Sequence, residues 1–215
     1  MSTPLHQGQP VLAVGKPLDA AKAVMIMIHG RGASAESILS LVPEIEEPDF
    51  AFIAPQAAGG TWYPYPFMEP VERNEPYLSS ALAVITGLVD QVLGQGFVTQ
   101  QIMLLGFSQG ACLVSEWAVR NPKRYGAVIA LSGGLIGDKL VQPPGSFDDA
   151  IFFFGCSDTD SHIPKSRVEE SAAVVKAMGG DVIKRLYPKM GHTINHDETA
   201  FIHGVMTEVV RGENR

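Results

Sequence analysis

The sequence predicts an α/β protein with a mostly parallel central sheet and helices on both of its faces. Three observations carry that expectation. Short runs of consecutive apolar residues, the mark of strands buried on both faces, alternate with longer segments of helical spacing. Glycine and proline clusters punctuate the changes from one to the other. One apolar run leads straight into the pentapeptide Gly106-Phe107-Ser108-Gln109-Gly110, and a helix-favouring run leaves it.

The elements follow in order. After a polar lead-in over residues 1–9, Val11–Val14 reads as a short edge strand. Ala23–Ile28 is continuously apolar and ends in His29-Gly30-Arg31-Gly32. A helix opens near Ser34, a plausible N-cap, and runs through Leu41. Phe50–Ile53 is the next strand, closed by Ala54-Pro55-Gln56. Residues 57–74 break both periodicities yet are rich in aromatics, as a functional loop in a compact domain is. Helical spacing returns from about Glu75 to Leu93 and stops at Gly94-Gln95-Gly96. Gln101–Leu105 is the strand before the pentapeptide, and the helix after it ends near Arg120, ahead of Asn121-Pro122. Ala127–Leu131 and Ile151–Phe154 are strands separated by a loop over residues 135–149. Pro164 starts a helix that Gly179-Gly180 stops. Asp181–Tyr187 is the last strand, and a helix from about His196 to Val210 closes the chain. That makes about seven strands in one domain spanning residues 1–215, with no insertion long enough for a large cap.

Composition narrows the function. The chain is 46% hydrophobic and 18% charged, which suits a globular domain with a large core. A net charge of −7 without a basic cluster argues against nucleic acid and against an anionic membrane surface. The N-terminus lacks a basic region followed by an apolar core, and no apolar run looks long enough to span a bilayer. Cys112 and Cys156 sit in apolar segments and are expected as reduced, buried thiols of a cytoplasmic protein.

In sheets of this kind, chemistry collects at the carboxyl ends of the strands. Ser108 stands at one such end, in the strand–turn–helix context of a nucleophile elbow. A serine hydroxyl needs an imidazole to take its proton, and a carboxylate to orient that imidazole. Of six histidines, only His192 follows a strand through a short glycine-containing loop. His29 is better suited to bracing its loop, and His162 reaches at most the rim of the site. The acid is Asp158 or Asp160. Asp160 is favoured because it lies further from the strand, just before the next helix, while Asp158 braces the loop. Two backbone N–H groups must face the developing oxyanion. Gln109, after the serine, supplies one, and Arg31, between two glycines, supplies the other.

Two other readings fall short. Gly30-Arg31-Gly32-Ala33-Ser34-Ala35 has the spacing of a dinucleotide fingerprint, but no acid ends the second strand of that unit. His192 and His196 are four apart, yet Thr193 stands where a zinc-protease helix needs glutamate, so no metal site is expected.

Together, G-F-S-Q-G-A, the I-H-G-x-G loop, D-x-D-x-x-I-P and the late G-H resemble the carboxylesterase/phospholipase group of α/β-hydrolases, which includes the acyl-protein thioesterases. The resemblance runs from about residue 22 to 210. It implies an α/β-hydrolase fold with Ser108 as nucleophile, Asp160 as acid and His192 as base. It also implies an oxyanion hole from Arg31 and Gln109, and no cofactor. The family's aromatic segment is matched by Thr61-Trp62-Tyr63. Where the thioesterases carry an apolar residue followed by G-D, this chain has Arg31-Gly32-Ala33, and Tyr63-Pro64-Tyr65-Pro66-Phe67 is its own. The expected substrate pocket comprises Trp62, Tyr63, Arg31 and His162, with the Arg31 side chain free to pair with a substrate carboxylate. The expected partner is a small-molecule ester or thioester with about two to six acyl carbons. The chain is expected as a monomer or homodimer without nucleic acid or stable membrane insertion. Thioesterase or lysophospholipase-type activity is the alternative, and a non-catalytic binding protein on the same fold is the remaining one.

Overall fold

A computed structural model of the chain describes residues 5–213. The ends of the single-domain expectation, residues 1–4 and 214–215, lie outside the described residues. Seven strands build one sheet: β1 (Val11–Gly15), β2 (Ala23–Ile28), β3 (Phe50–Pro55), β4 (Ile102–Phe107), β5 (Ala127–Leu131), β6 (Ile151–Ser157) and β7 (Asp181–Tyr187). Their order is β1-β3-β2-β4-β5-β6-β7. Only β1 runs antiparallel to its neighbour, and the remaining pairs are parallel. This is the α/β-hydrolase arrangement, without a large cap.

The continuous apolar runs make sense because alternate residues bury on opposite faces. Val24, Ile26 and Ile28 join the core under helices α2 (Tyr77–Gly94), α3 (Gln109–Arg120) and α4 (Lys165–Ala177). Ala23, Met25 and Met27 join the core under α1 (Ala35–Leu39) and α5 (His196–Arg211). Both faces of β2 are fully buried, so neither face tolerates a polar residue.

Three local expectations need correction. The first helix stops at Leu39, and a short 3₁₀ turn over Val42–Glu44 takes its place before Pro48. The loop of residues 57–74 contains two 3₁₀ turns, Ala58–Gly60 and Val71–Asn74. By length and composition alone, α2 would pass for a membrane span, with 18 residues at a mean hydropathy of 1.4. Its apolar stripe, from Leu78 through Ile85 to Val92, instead packs into the core with α3 and the sheet.

The chain begins on the edge strand β1, enters the sheet at β2, steps outward to β3 between β1 and β2, then crosses to the other side of β2 with β4. The β2/β4 boundary is therefore the topological switch point, where the two connecting loops diverge and leave a crevice. The loop after β2 and the turn after β4 meet there.

Candidate active site

Ser108 sits between β4 and α3 with φ 55° and ψ −118°. That left-handed backbone is rare for a residue with a side chain, and a strained turn of this kind lifts the hydroxyl clear of the sheet. The flanking glycines are steric requirements. A Cβ on Gly106 would run into the Gly110 carbonyl, and one on Gly110 would run into the Ile28 carbonyl at the end of β2.

The side chains at three strand ends meet. The Ser108 Oγ lies 2.8 Å from His192 Nε2. His192 Nδ1 lies 2.8 Å from Asp160 Oδ2. With Nδ1–H donating to the carboxylate, Nε2 is free to accept from the serine hydroxyl. The Asp160 side chain is fully buried, which alone would push its carboxyl up. The hydrogen bond from His192, and those from the His162 and Ile163 N–H groups to Oδ1 at 2.8 and 3.0 Å, outweigh burial and hold it below its ordinary value. Asp158 makes a different contact: its Oδ1 accepts the Lys189 N–H at 2.8 Å, bracing the loop that carries His192. Phe107 packs its ring 5.0 Å from the His192 ring, and His162 meets the same ring edge-on at 4.8 Å.

The loop after β2 passes directly beside the serine. A Cβ on Gly30 would touch that of Ser108 at 3.4 Å. Among the described residues, nothing accepts the N–H of Arg31. Gln109 opens α3, where an N–H has no intrahelical acceptor. Both donors are therefore available to an oxyanion beside Ser108.

The side chains of these same two residues hold the aromatic loop. The Arg31 guanidinium donates to the carbonyls of Tyr63, Pro64 and Tyr65 at 2.9, 2.9 and 3.2 Å. Gln109 accepts the Trp62 N–H and donates to the Tyr63 carbonyl, both at 2.8 Å. The Gly32 N–H donates to the Gly60 carbonyl at 2.7 Å. Two buried histidines complete the brace. His29 Nε2 accepts the Ala57 N–H at 3.1 Å while Nδ1 donates to the Gly30 carbonyl at 2.8 Å. His6 Nδ1 accepts the Ala58 N–H at 3.1 Å while Nε2 donates to the Trp62 carbonyl at 2.8 Å. Each ring needs one bare nitrogen for this, and burial lowers the pKa of both, which keeps them neutral.

A cavity of about 600 Å³ opens over Ser108 and His192, walled by Tyr63, Pro64, Pro66, Phe67 and Ile163. Arg31 and His162 line it as well. Two expectations are corrected here. Trp62 does not line the cavity: it is wholly buried, with its indole N–H on the His29 carbonyl at 2.9 Å, and it forms part of the core beneath the loop. The Arg31 guanidinium is not free for a substrate carboxylate, because three loop carbonyls occupy it. Phe107, Cys112 and Ile163 line the cavity without having been singled out from sequence, and no signal marks them beyond their neighbourhood to site residues. Burial pushes the thiols of Cys112 and Cys156 up to about 12, so neither presents a thiolate. Among the described residues, no cluster of histidine, cysteine or carboxylate side chains could hold a metal.

Comparison with known proteins agrees with this geometry at the level of family. A profile of the phospholipase/carboxylesterase family matches residues 9–208. The crystal structure of a phospholipase/carboxylesterase from Dyadobacter fermentans is 39% identical, with a TM-score of 0.90 over 93% of this chain and 97% of that one. Acyl-protein thioesterase 1 of Gibberella zeae is 29% identical over 52% of this chain, a match that spans about half of that protein (49%). Lysophospholipase-like protein 1 of Mus musculus is 24% identical over 86% of each chain.

Proposed function

The chain belongs to the phospholipase/carboxylesterase family of hydrolases, and we propose that it acts within it as a serine carboxylesterase on small, short-acyl esters or thioesters. The observation that carries this reading is the unbroken hydrogen-bonded line from Ser108 through His192 to Asp160, at 2.8 Å in both steps.

The chemistry follows from that line. His192 Nε2 takes the Ser108 proton as Oγ attacks the carbonyl carbon of the ester. The carbonyl oxygen becomes an oxyanion, and the N–H groups of Arg31 and Gln109 receive it. Asp160 stabilises the imidazolium without taking a proton. His192 then gives its proton to the departing alkoxide or thiolate, and an acyl group remains on Ser108. Water, deprotonated by His192, attacks that acyl carbon and releases the acid. No step needs a cofactor. The protein is expected to work in the cytoplasm, as a monomer or homodimer without nucleic acid or membrane insertion.

A second reading, cleavage of long-chain thioesters or lysophospholipids, draws support from the names of the relatives and from the apolar walls of the cavity. The test of the primary reading is a fluorophosphonate probe with p-nitrophenyl butyrate turnover. The expected result is stoichiometric labelling of Ser108, and loss of both labelling and turnover in Ser108→Ala. An alanine variant that kept near-wild-type turnover would overturn it.

A further inference from the structure

A second cavity, of about 330 Å³, lies across the oxyanion loop from the first. Gly30, Ala33 and Phe107 line both. Ile38, Leu41 and Ile194 supply its own apolar wall. Ile194 follows His192 by two residues, and Phe107 packs on the His192 ring, so two of this cavity's lining residues adjoin the residue that protonates the leaving group. An ester carbonyl seated on Ser108 must send its acyl carbon one way and its leaving oxygen the other. The first cavity takes one of these directions, and the second is the space left for the other.

The two cavities differ in charge. Arg31 and His162 line the first, and no carboxylate is among its lining residues. The second has neither lysine nor arginine in its lining, and its one acid is Glu44. Glu44 is exposed, and among the described residues no cation pairs with it and no donor bonds its side chain. The hydroxyls of Ser37 and Ser40 in the same lining are already spent on backbone carbonyls, at 2.6 and 2.7 Å. His29, also in the lining, has both ring nitrogens occupied.

We propose that this second cavity is a leaving-group subsite, and that it takes an alcohol or thiol whose short carbon chain ends in a cationic nitrogen. The inference rests on the serine-hydrolase reading above and names the leaving group of that reaction. The apolar wall accommodates the carbons of the alcohol, and the Glu44 carboxylate meets the ammonium. Arg31 on the other side of the loop disfavours the reversed placement, so charge also sets which half of the substrate enters which cavity.

A matched substrate pair tests this: the butyrate ester of choline and that of 3,3-dimethylbutanol, which share acyl group and shape and differ in charge. The ratio of their kcat/KM values reports the charge alone, and kcat/KM ends at acylation, before the acyl-enzyme that both share. The wild-type ratio should favour the cationic ester by about fivefold at low salt, as an exposed ion pair does, and shrink as salt is added. Glu44→Gln should bring the ratio to about one, and Glu44→Lys should invert it; a ratio within one protein is insensitive to how much of it is active. A wild-type ratio of one, or a ratio unchanged in Glu44→Gln, overturns the proposal. Fluorophosphonate titration of Ser108 in the same preparations separates the two ideas. Labelling with a ratio of one overturns the subsite alone, whereas absence of labelling overturns the hydrolase reading and the subsite with it.

Discussion

Two aspartates stand two residues apart after β6, and their hydrogen bonds assign them different work. Asp160 is buried, holds the His192 imidazole and is itself fixed by two backbone N–H groups. Asp158 is exposed, and its carboxylate accepts the Lys189 N–H. Asp160→Asn should therefore lower kcat by about 10³- to 10⁴-fold, because the amide favours the wrong imidazole tautomer. Asp158→Asn should stay within about tenfold of wild type, since a positioning contact is lost and no reacting group is touched. Steady-state kinetics on one ester rank the two, and the reverse ranking would reassign the acid. The residues that meet at Ser108 were legible in the sequence because a parallel sheet brings its strand ends together, and each end carries its chemistry just past an apolar run. Trp62 was not legible, since an aromatic in a glycine- and proline-rich loop reads alike whether it walls a pocket or fills the core. The brace by His6 was hidden for another reason. Its partners Trp62 and Ser80 lie 56 and 74 residues away, and nothing local marks them.

At the scale of elements, caps and faces decide what the apolar pattern leaves open. The runs that became strands were legible because a strand buried on both sides has no polar face to confuse the pattern. The short α1 was overestimated because Ser40 and Leu41 continue helical spacing while Pro43 forces a new turn. At the start of α5, Asn195 and Glu198 form a capping box, with the Asn195 N–H on Glu198 Oε2 at 2.9 Å. The other oxygen, Oε1, is buried and has no hydrogen-bond partner among the described residues. Burial raises this carboxyl to about 7 from 4.5. The unfolded chain releases that proton near its ordinary pKa and the folded chain keeps it until about 7, so the folded state binds more protons in between. Stability from this group therefore falls as pH rises through that window. His6 and His29 act in the opposite sense: their lowered pKa values make stability fall as pH drops below 6.5. The two slopes overlap in the wild type, and the difference between wild type and Glu198→Gln removes the histidine part. Glutamine keeps an acceptor for Asn195 and cannot ionise. The variant should gain roughly 2 kcal/mol on wild type between about pH 5 and pH 8, measured by urea unfolding. A difference that stays constant with pH would show that Glu198 ionises without penalty in the folded protein.

Across the whole molecule, the depth of the acyl cavity is set by elements far apart in sequence. The switch point between β2 and β4 brings Arg31 and Gln109 to one place, and their side chains there grip the chain from Trp62 to Tyr65. That chain in turn rests on Trp62, which His29 and His6 fix to the core. The wall is thus preformed. With no large cap above it, an acyl chain that outgrows the cavity must turn out into water, where its further carbons gain nothing. p-Nitrophenyl esters should therefore be turned over best at about two to six acyl carbons. The wall depends on Arg31 for three carbonyl contacts that a single ammonium cannot span, so Arg31→Lys should behave like Arg31→Leu and not like wild type. Either variant keeps the backbone N–H beside Ser108 while freeing Tyr63 to Phe67 to give way. The ratio of kcat/KM for a ten-carbon ester to that for a four-carbon ester should rise by about tenfold in both variants, an order-of-magnitude expectation for one or two added methylenes finding apolar contact. Chain-length series on the three proteins decide the matter. A wild-type optimum at palmitoyl length that neither variant moves would show that the clamped loop does not limit the acyl group, and would favour the long-chain thioesterase reading.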